Sequence, residues 1–376
     1  MIMKKIIRPF AAIALAAALA FSSGCGEDTS WSYKTDVSTL SNGNWIYYTY
    51  SQYETALSKI SESNTDAEAS GSSDVDISKE KIDNKDALDW IYAEAKKDCI
   101  TQLTYEKLAK DNGIKAKGDD YEQMETQYKQ MYESYMSTAF EKLGISSDSY
   151  IKASLKSNYL KEQIFLKLYD KDGSQAVSDD ELNQYFTDNY TNYFYIDYSL
   201  KMTDSDGNTT DVSDEDKEKM QTNFNKYANM INKQGKTTAD VVEQYMTDTE
   251  STADPSTTGN VILDDNTSLS DNLKKEIKDL PTKKAVVKTI DNTMYLLYKD
   301  DISNQVKNIK SDDEIDSEST TDISRTGILH EMKDDDYDKY IEEQKKSLDY
   351  KKNDACMSKY TVQRTVDIVK SFSAES

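Results

Sequence analysis

Histidine is all but missing from this sequence: of 376 residues, only His330 carries an imidazole. Dyads, triads and zinc clusters built on histidine need imidazole at several defined places, so the shortage argues against that whole group of chemistries. His330 itself falls in Gly327-Ile328-Leu329-His330-Glu331-Met332, where it reads as a surface or half-buried helical residue. Proline is scarce too, with Pro9, Pro255 and Pro281 alone, and there are 12 glycines. So few breakers in a long polar chain rich in Lys, Glu, Gln and Tyr point to helix. Positive charge is in deficit, with 46 Lys and Arg against 69 Asp and Glu, a net charge of −23. Such a surface repels nucleic acid and anionic headgroups, which excludes nucleic acid as a partner. A solute-binding design would need repeated strand–helix units, and these are not seen. No cofactor is expected.

Long apolar runs are also absent, with one exception at the start. Lys4, Lys5 and Arg8 precede an apolar stretch from Phe10 to Phe21, too short for a mature transmembrane helix but suited to a secretory signal. It closes on Ser22-Ser23-Gly24-Cys25, which resembles a bacterial lipobox: small residues for a peptidase, then a cysteine for acylation. The expectation is a signal peptide over residues 1–24 and a lipid-anchored chain from Cys25, held at the extracytoplasmic face of the cell membrane. Two or more acyl chains meet the requirement for stable anchoring. Loss of the three basic signal residues takes the charge from −23 to −26, so the lipid and not the surface must hold the membrane. Only Cys99 and Cys356 then remain. The export route permits a disulfide between them, and two unpaired buried thiols are the preferred reading.

Residues 25–40 read as a polar tether. Ser41-Asn42-Gly43-Asn44 signals a turn, and Trp45-Ile46-Tyr47-Tyr48 opens a strand or a helix. Residues 61–81, rich in Ser, Asp, Glu and Gly, read as a disordered loop. Three helical stretches come next. The first, Ala87 to Lys110, aligns Leu88, Ile91, Ala95, Cys99 and Leu103 and stops at Asn112-Gly113. The second, Tyr121 to Leu143, sets Tyr121, Met124, Tyr128, Met131, Tyr135 and Met136 on one stripe and ends at Gly144. The third, capped from Ser147-Asp148-Ser149, carries Ile151, Leu155, Tyr159, Ile164 and Leu168. The Tyr/Met stripe has two readings: ordinary core, which is favoured, or an adaptable surface for unfolded clients through Tyr121, Met124, Tyr128, Met131 and Tyr135.

The period then changes. Phe194, Ile196, Tyr198, Leu200 and Met202 alternate with polar or exposed positions, as in a half-buried strand. Helices are expected over 215–234, 238–246 and 268–280, with a loop over 247–267. Strands are expected over 285–290 and 293–299, turning at Asp291-Asn292. The order suggests a small α+β domain. Residues 311–321 form a second acidic, Ser-rich stretch. A last amphipathic helix uses Ile328, Leu329, Met332, Tyr337, Tyr340, Ile341 and Leu348, and Tyr360-Thr361-Val362 suggests a strand in the tail.

With the parts in this order, the chain resembles the extracytoplasmic foldase lipoproteins of the PrsA type, related to the chaperone SurA. Leu143-Gly144-Ile145-Ser146 through Leu160-Lys161-Glu162 is similar to that family's third helix. Val177-Ser178-Asp179-Asp180-Glu181-Leu182-Asn183-Gln184-Tyr185-Phe186 is similar to its approach to the isomerase, and Asp338-Lys339-Tyr340-Ile341-Glu342-Glu343 to its returning helix. The resemblance implies an α+β chain: a helical chaperone-like module over 41–175, an inserted parvulin-like domain over 176–305, an acidic linker over 306–325, and a helix and tail over 326–376 packing back on the first module. It implies unfolded or partly folded exported proteins as partners, with the membrane reached through the lipid anchor. A homodimer stays open.

The family's isomerase site has histidines on its first and last strands. Here those strands are Tyr193-Phe194-Tyr195-Ile196-Asp197-Tyr198 and Thr293-Met294-Tyr295-Leu296-Leu297, without histidine, and the family's Gly-rich loop is reduced to Thr258-Gly259-Asn260-Val261-Ile262-Leu263. Tyr195, Asp197 and Tyr295 stand at the vestigial positions, and no catalytic residue is carried over. The expectation is a chaperone without isomerase activity. Two alternatives are kept: an active prolyl isomerase, and a calcium- or other ligand-binding surface lipoprotein. The second rests on Asp170, Asp172, Ser174 and Glu181 at EF-hand ligand positions 1, 3, 5 and 12, with Gln175 where the loop needs glycine.

Overall fold

The computed structural model describes residues 27–63, 75–203, 207–316, 319 and 321–374. The expected signal segment and Cys25 lie outside these residues. The described chain is a mixture of helix and antiparallel sheet, and it divides into two units: residues up to 160 together with 347 onward, and residues 161–346. The division falls inside one helix, not at 175, and it assigns most of the last long helix to the second unit.

The first unit is helical around an aromatic core. Its opening strand β1 (Trp31–Lys34) pairs with β2 (Thr39–Ser41), and Tyr33 and Leu40 are fully buried, so 27–40 is part of the fold and not a tether. Helix α1 (Asn42–Ser63) continues directly from β2, which settles the Trp45 segment as helix. Ser41 and Asn44 cap it reciprocally: the Asn44 N–H donates to Ser41 Oγ (3.1 Å), and the Ser41 N–H to Asn44 Oδ1 (2.9 Å). The centre of the expected 61–81 loop lies outside the described residues. Its far end is ordered, with Ile77 and Ile82 buried.

Helix α2 (Ala87–Asp111) buries Ile91, Ala95, Cys99 and Leu103 against α1 and ends at Asn112 and Gly113, the latter at φ +69°. Helices α3 (Asp119–Met131) and α4 (Ser137–Leu143) are joined by a wider i→i+5 turn over Tyr132–Met136. Helices α5 (Ser147–Ile151) and α6 (Ser157–Tyr169) are joined by another over Lys152–Lys156. The cap of α5 is Ser146 and not Ser147, its Oγ accepting the Ser149 N–H. The turn at 152–156 leaves carbonyls for side chains to use. Gln102 Nε2 donates to the Lys152 carbonyl (2.8 Å), while the Tyr48 hydroxyl lies 3.2 Å from that of Ala153.

The second unit begins within α6 and continues through α7 (Asp179–Asn189), capped by a reciprocal Ser178–Glu181 pair. It then forms a four-stranded antiparallel sheet, built from β3 (Thr191–Ser199), β4 (Ser256–Val261), β5 (Lys284–Ile290) and β6 (Thr293–Lys299) in the order β4-β3-β6-β5. Strand β4 lies where the sequence pattern predicts a loop. Strand β3 is covered on both faces at Tyr193 and Phe194, while farther along one face opens at Asp197 and Ser199, as in a half-buried strand. Phe194 and Ile196 pack with Met220, Phe224 and Tyr227 of α8 (Asp214–Gln234) and Val241 of α9 (Thr238–Thr249). Tyr193 packs with Leu273 and Ile277 of α10 (Asp271–Lys278) on the other face. The β5–β6 hairpin turns at Asp291 (φ +48°) and Asn292 (φ +62°), the two left-handed residues of a type I′ turn.

The acidic stretch after β6 is partly regular, with Ile309–Lys310 pairing in parallel with Ile323–Ser324. Helix α11 (Arg325–Ser347) packs on α6 inside the second unit: Phe165 and Tyr337 meet edge to face at 5.4 Å, and the Tyr337 hydroxyl donates to the Lys161 carbonyl (2.8 Å). The family resemblance instead implies a helix returning to the first module at this point. The residues after α11 complete the first unit. Strand β7 (Lys351–Lys352) pairs with β1, and after α12 (Asp354–Lys359) comes α13 (Val362–Ala374), in place of the expected tail strand. The Trp45 indole donates to the Tyr360 carbonyl (2.7 Å). Cys99 and Cys356 are both free and buried, and burial raises both thiols, so neither is a reactive thiolate. Among the described residues, no helix is long and apolar enough to cross a membrane.

Candidate functional site

The β3–β6 ladder brings together the three residues at the vestigial positions. Tyr295 is directly opposite Asp197, and Leu297 is opposite Tyr195. Residues 193, 195 and 197 alternate onto the α10 face, where they form an aromatic row. The Tyr193 and Tyr195 rings lie nearly parallel (9°) with centroids 6.1 Å apart, and Tyr195 meets Tyr295 edge to face at 5.5 Å. Asp197 ends the row, exposed. Burial pushes the Tyr193 and Tyr295 phenols up, so both remain neutral hydrogen-bond donors near neutral pH. Among the described residues, no hydrogen bond joins Asp197 to Tyr195 or Tyr295, so the three are neighbours without forming a linked catalytic network. Tyr193 is buried beneath α10, so only Tyr195 and Tyr295, half-buried, and the exposed Asp197 reach the surface.

Gly259 makes this face possible. A Cβ there would stand 2.8 Å from both the Cε1 and the hydroxyl oxygen of Tyr193. Gly259 is thus a strand residue over which a tyrosine ring lies.

The Tyr/Met stripe divides. Tyr121 is buried, Met124, Tyr128 and Met131 pack against the first unit's core, and Tyr135 is 86 % exposed. Four of the five client-binding candidates therefore serve the core, and Tyr135 alone presents a large apolar surface to solvent. The cause is the wider turn at 132–136. One extra residue rotates the face beyond it by about 100°, so Tyr135 leaves the stripe, while Tyr132, four residues after Tyr128, stays in the core.

Two of the four calcium candidates, Asp170 and Glu181, are held by other partners. Backbone bonds from Ser174 to Lys167, from Gln175 to Leu168 and from Val177 to Tyr169 close α6 over this loop. Glu181 accepts from the Ser178 N–H and hydroxyl, and Asp170 accepts from Arg325 Nε (3.0 Å). Among the described residues, no group of three or more His, Cys, Asp or Glu is disposed to hold a metal ion.

Two clusters escaped sequence reasoning. Arg325, its side chain only 5 % exposed, bonds Asp170, Asp179 (2.8 Å) and the Val177 carbonyl (3.1 Å), tying the start of α11 to the end of α6 and the start of α7. A signal existed: only Arg8, Arg325 and Arg364 are arginine among 46 basic residues, and a guanidinium is preferred where several acceptors must be met at once. Glu106, 8 % exposed, accepts from Lys156 (3.3 Å) and Gln102 (3.2 Å) beside a cavity of about 410 Å³ that Lys110 and Lys115 also line.

No family model matches the chain, and no curated protein matches it. Among solved structures it is similar to foldase protein PrsA from Streptococcus pneumoniae str. Canada MDR_19A, at 14% sequence identity over 70% of this chain and 88% of that one. The TM-score is 0.32, too low for this likeness to carry an argument about fold or function.

Proposed function

We propose that this chain is a chaperone- or foldase-like lipoprotein of the extracytoplasmic membrane face, anchored through acylated Cys25, that binds unfolded or partly folded exported polypeptides without prolyl isomerase activity. One observation supports it above the others. The four-stranded sheet, entered from α7 and left before α11, carries Tyr195, Asp197 and Tyr295 where the family resemblance calls for histidines. Fold alone does not carry function, so the claim rests on the surface this unit presents. Tyr195 and Tyr295, both half-buried, offer apolar faces with polar tips beside exposed Asp197, suited to unfolded chain and lacking an imidazole.

The test measures aggregation suppression of an unfolded client and isomerisation of a prolyl peptide side by side, using the chain from residue 26 onward. Suppression independent of client proline content, with isomerisation at the uncatalysed rate, is expected. A second reading, an active isomerase, is favoured by the same aromatic row. Isomerisation must overcome a barrier of about 20 kcal/mol, and an apolar pocket that favours the twisted peptide lowers it. Robust isomerisation that is lost in Asp197→Ala would replace the first reading with this one.

A further inference from the structure

The sheet of the second unit ends in two edges of opposite character. Strand β5 carries Lys284 and Lys288, charges of the kind that keep an edge from pairing with foreign backbone. Strand β4, Ser256-Thr257-Thr258-Gly259-Asn260-Val261, has no charge at all. Among the described residues, no strand pairs with its outer side. Between β4 and α9 lies a groove of about 620 Å³ in which Phe194, Val242 and Met246 supply apolar surface. Ser256 and Thr258 share this face, since they pair with Ile196 and Phe194 of β3. Glu243 and Asp254 also line the groove, and no Lys or Arg does. Hydrogen bonds from Ser256 hold the Asp254 carboxyl below its usual range, so it remains an anion.

We infer that this groove docks an extended segment of a client polypeptide, which adds a strand to β4, seats an apolar side chain on Phe194, Val242 and Met246, and sets lysine or arginine beside Glu243 and Asp254. The inference rests on the client-binding reading above and names where and what that reading binds. Edge backbone groups give affinity with little dependence on client sequence, while the groove chooses the side chains. Charge selects the occupant. A second copy of this chain would bring its own net charge of −23 to an already acidic rim, whereas a basic, apolar segment complements it.

The test titrates two fluorescein-labelled decapeptides, one alternating valine with lysine and one valine with glutamate, into the chain from residue 26 onward by fluorescence anisotropy. The valine–lysine peptide is expected to bind about tenfold or more tightly than its counterpart. Met246→Glu and Thr258→Lys should each weaken it by about the same factor, with circular dichroism and melting showing that the variants fold. Should Met246→Glu not fold, the exposed Glu243→Lys should weaken the lysine peptide and strengthen the glutamate one. Equal binding of the two peptides, or unchanged affinity in the folded variants, would overturn the inference. So would a dimer that the peptide does not dissociate and Thr258→Lys breaks, which gives the edge to a second copy. Aggregation assays separate the two claims. Suppression without peptide binding removes the groove and leaves the chaperone reading, whereas peptide binding without suppression leaves the groove and removes that reading.

Discussion

Three residues carry more of this structure than their neighbours, each for a different physical reason. Gly259 is needed for space, because the Tyr193 ring occupies the place of its Cβ. Gly259→Ala is expected to lower stability by about 1–3 kcal/mol, measured by urea unfolding, and loss of stability should shrink if Tyr193 is cut to Ala in the same chain. Arg325 is needed for geometry. A lysine keeps the charge but cannot meet Asp170, Asp179 and the Val177 carbonyl together, so Arg325→Lys should cost about 1–2 kcal/mol by the same measurement. His330 is a matter of protonation. Its ring stacks on Phe165 at 3.9 Å, with Nδ1 2.7 Å from Asp334 and Nε2 3.1 Å from Glu162. Burial alone would lower its pKa, but the two carboxylates outweigh burial and raise it. The stabilisation is therefore complete below the unfolded value of about 6.5 and is lost as pH rises through the higher folded value. The pair is part-exposed, so its size is under about 1 kcal/mol. Unfolding free energy of wild type relative to His330→Gln should fall across that window, and a pH-independent difference would remove this role.

At the scale of elements, the helices were legible wherever the 3.6-residue period ran undisturbed. Helix α2 shows Ile91, Ala95, Cys99 and Leu103 on the buried face that their spacing implies. The stripe of α3 was legible only as far as Met131, because a periodic reading cannot register the extra residue of the turn at 132–136. That difference is measurable. Tyr132 is buried and its hydroxyl donates to the Ile145 carbonyl (2.8 Å), so Tyr132→Ala should cost about 3–4 kcal/mol. Tyr135→Ser should stay within about 0.5 kcal/mol of wild type. The reverse ranking would restore the continuous stripe. Strand β4 was hidden for a related reason. Pro255 before it and Gly259 within it are loop signals in a local reading, yet both are tolerated on a sheet edge. Of the candidate site, Tyr195, Asp197 and Tyr295 were legible through the family resemblance, whereas the β3–β6 pairing that sets Tyr295 opposite Asp197 is a long-range contact that no local pattern shows. The β4–α9 groove was not, since it joins a strand unseen in the sequence to a helix that was seen.

At the scale of the whole chain, the sequence showed a helical part and a later α+β part, but not where one ends. The apolar pattern of α6 runs without a break across the division at 160, so nothing local marks it. Nor can local pattern show that β1 pairs with β7, more than 300 residues away, and so the first strand looked like tether. That pairing bears on anchoring. Folded structure starts within a few residues of Cys25, which leaves a short connection between a lipid at that cysteine and the first unit. The chain beyond residue 24 carries −26, the full chain's −23 without Lys4, Lys5 and Arg8, and like charge repels an anionic leaflet. A membrane-bound population held by acyl chains should therefore resist release by high salt, which strips proteins held by charge. Cys25→Ser should move the protein to the soluble fraction or leave it unprocessed at its larger size, as fractionation with immunoblotting would show. A single chain gives marginal binding and two give stable anchoring, so the effect on retention should be close to complete. Membrane retention with normal processing in the Ser variant would mean that something other than Cys25 holds the protein, and the lipid-anchor proposal would fall.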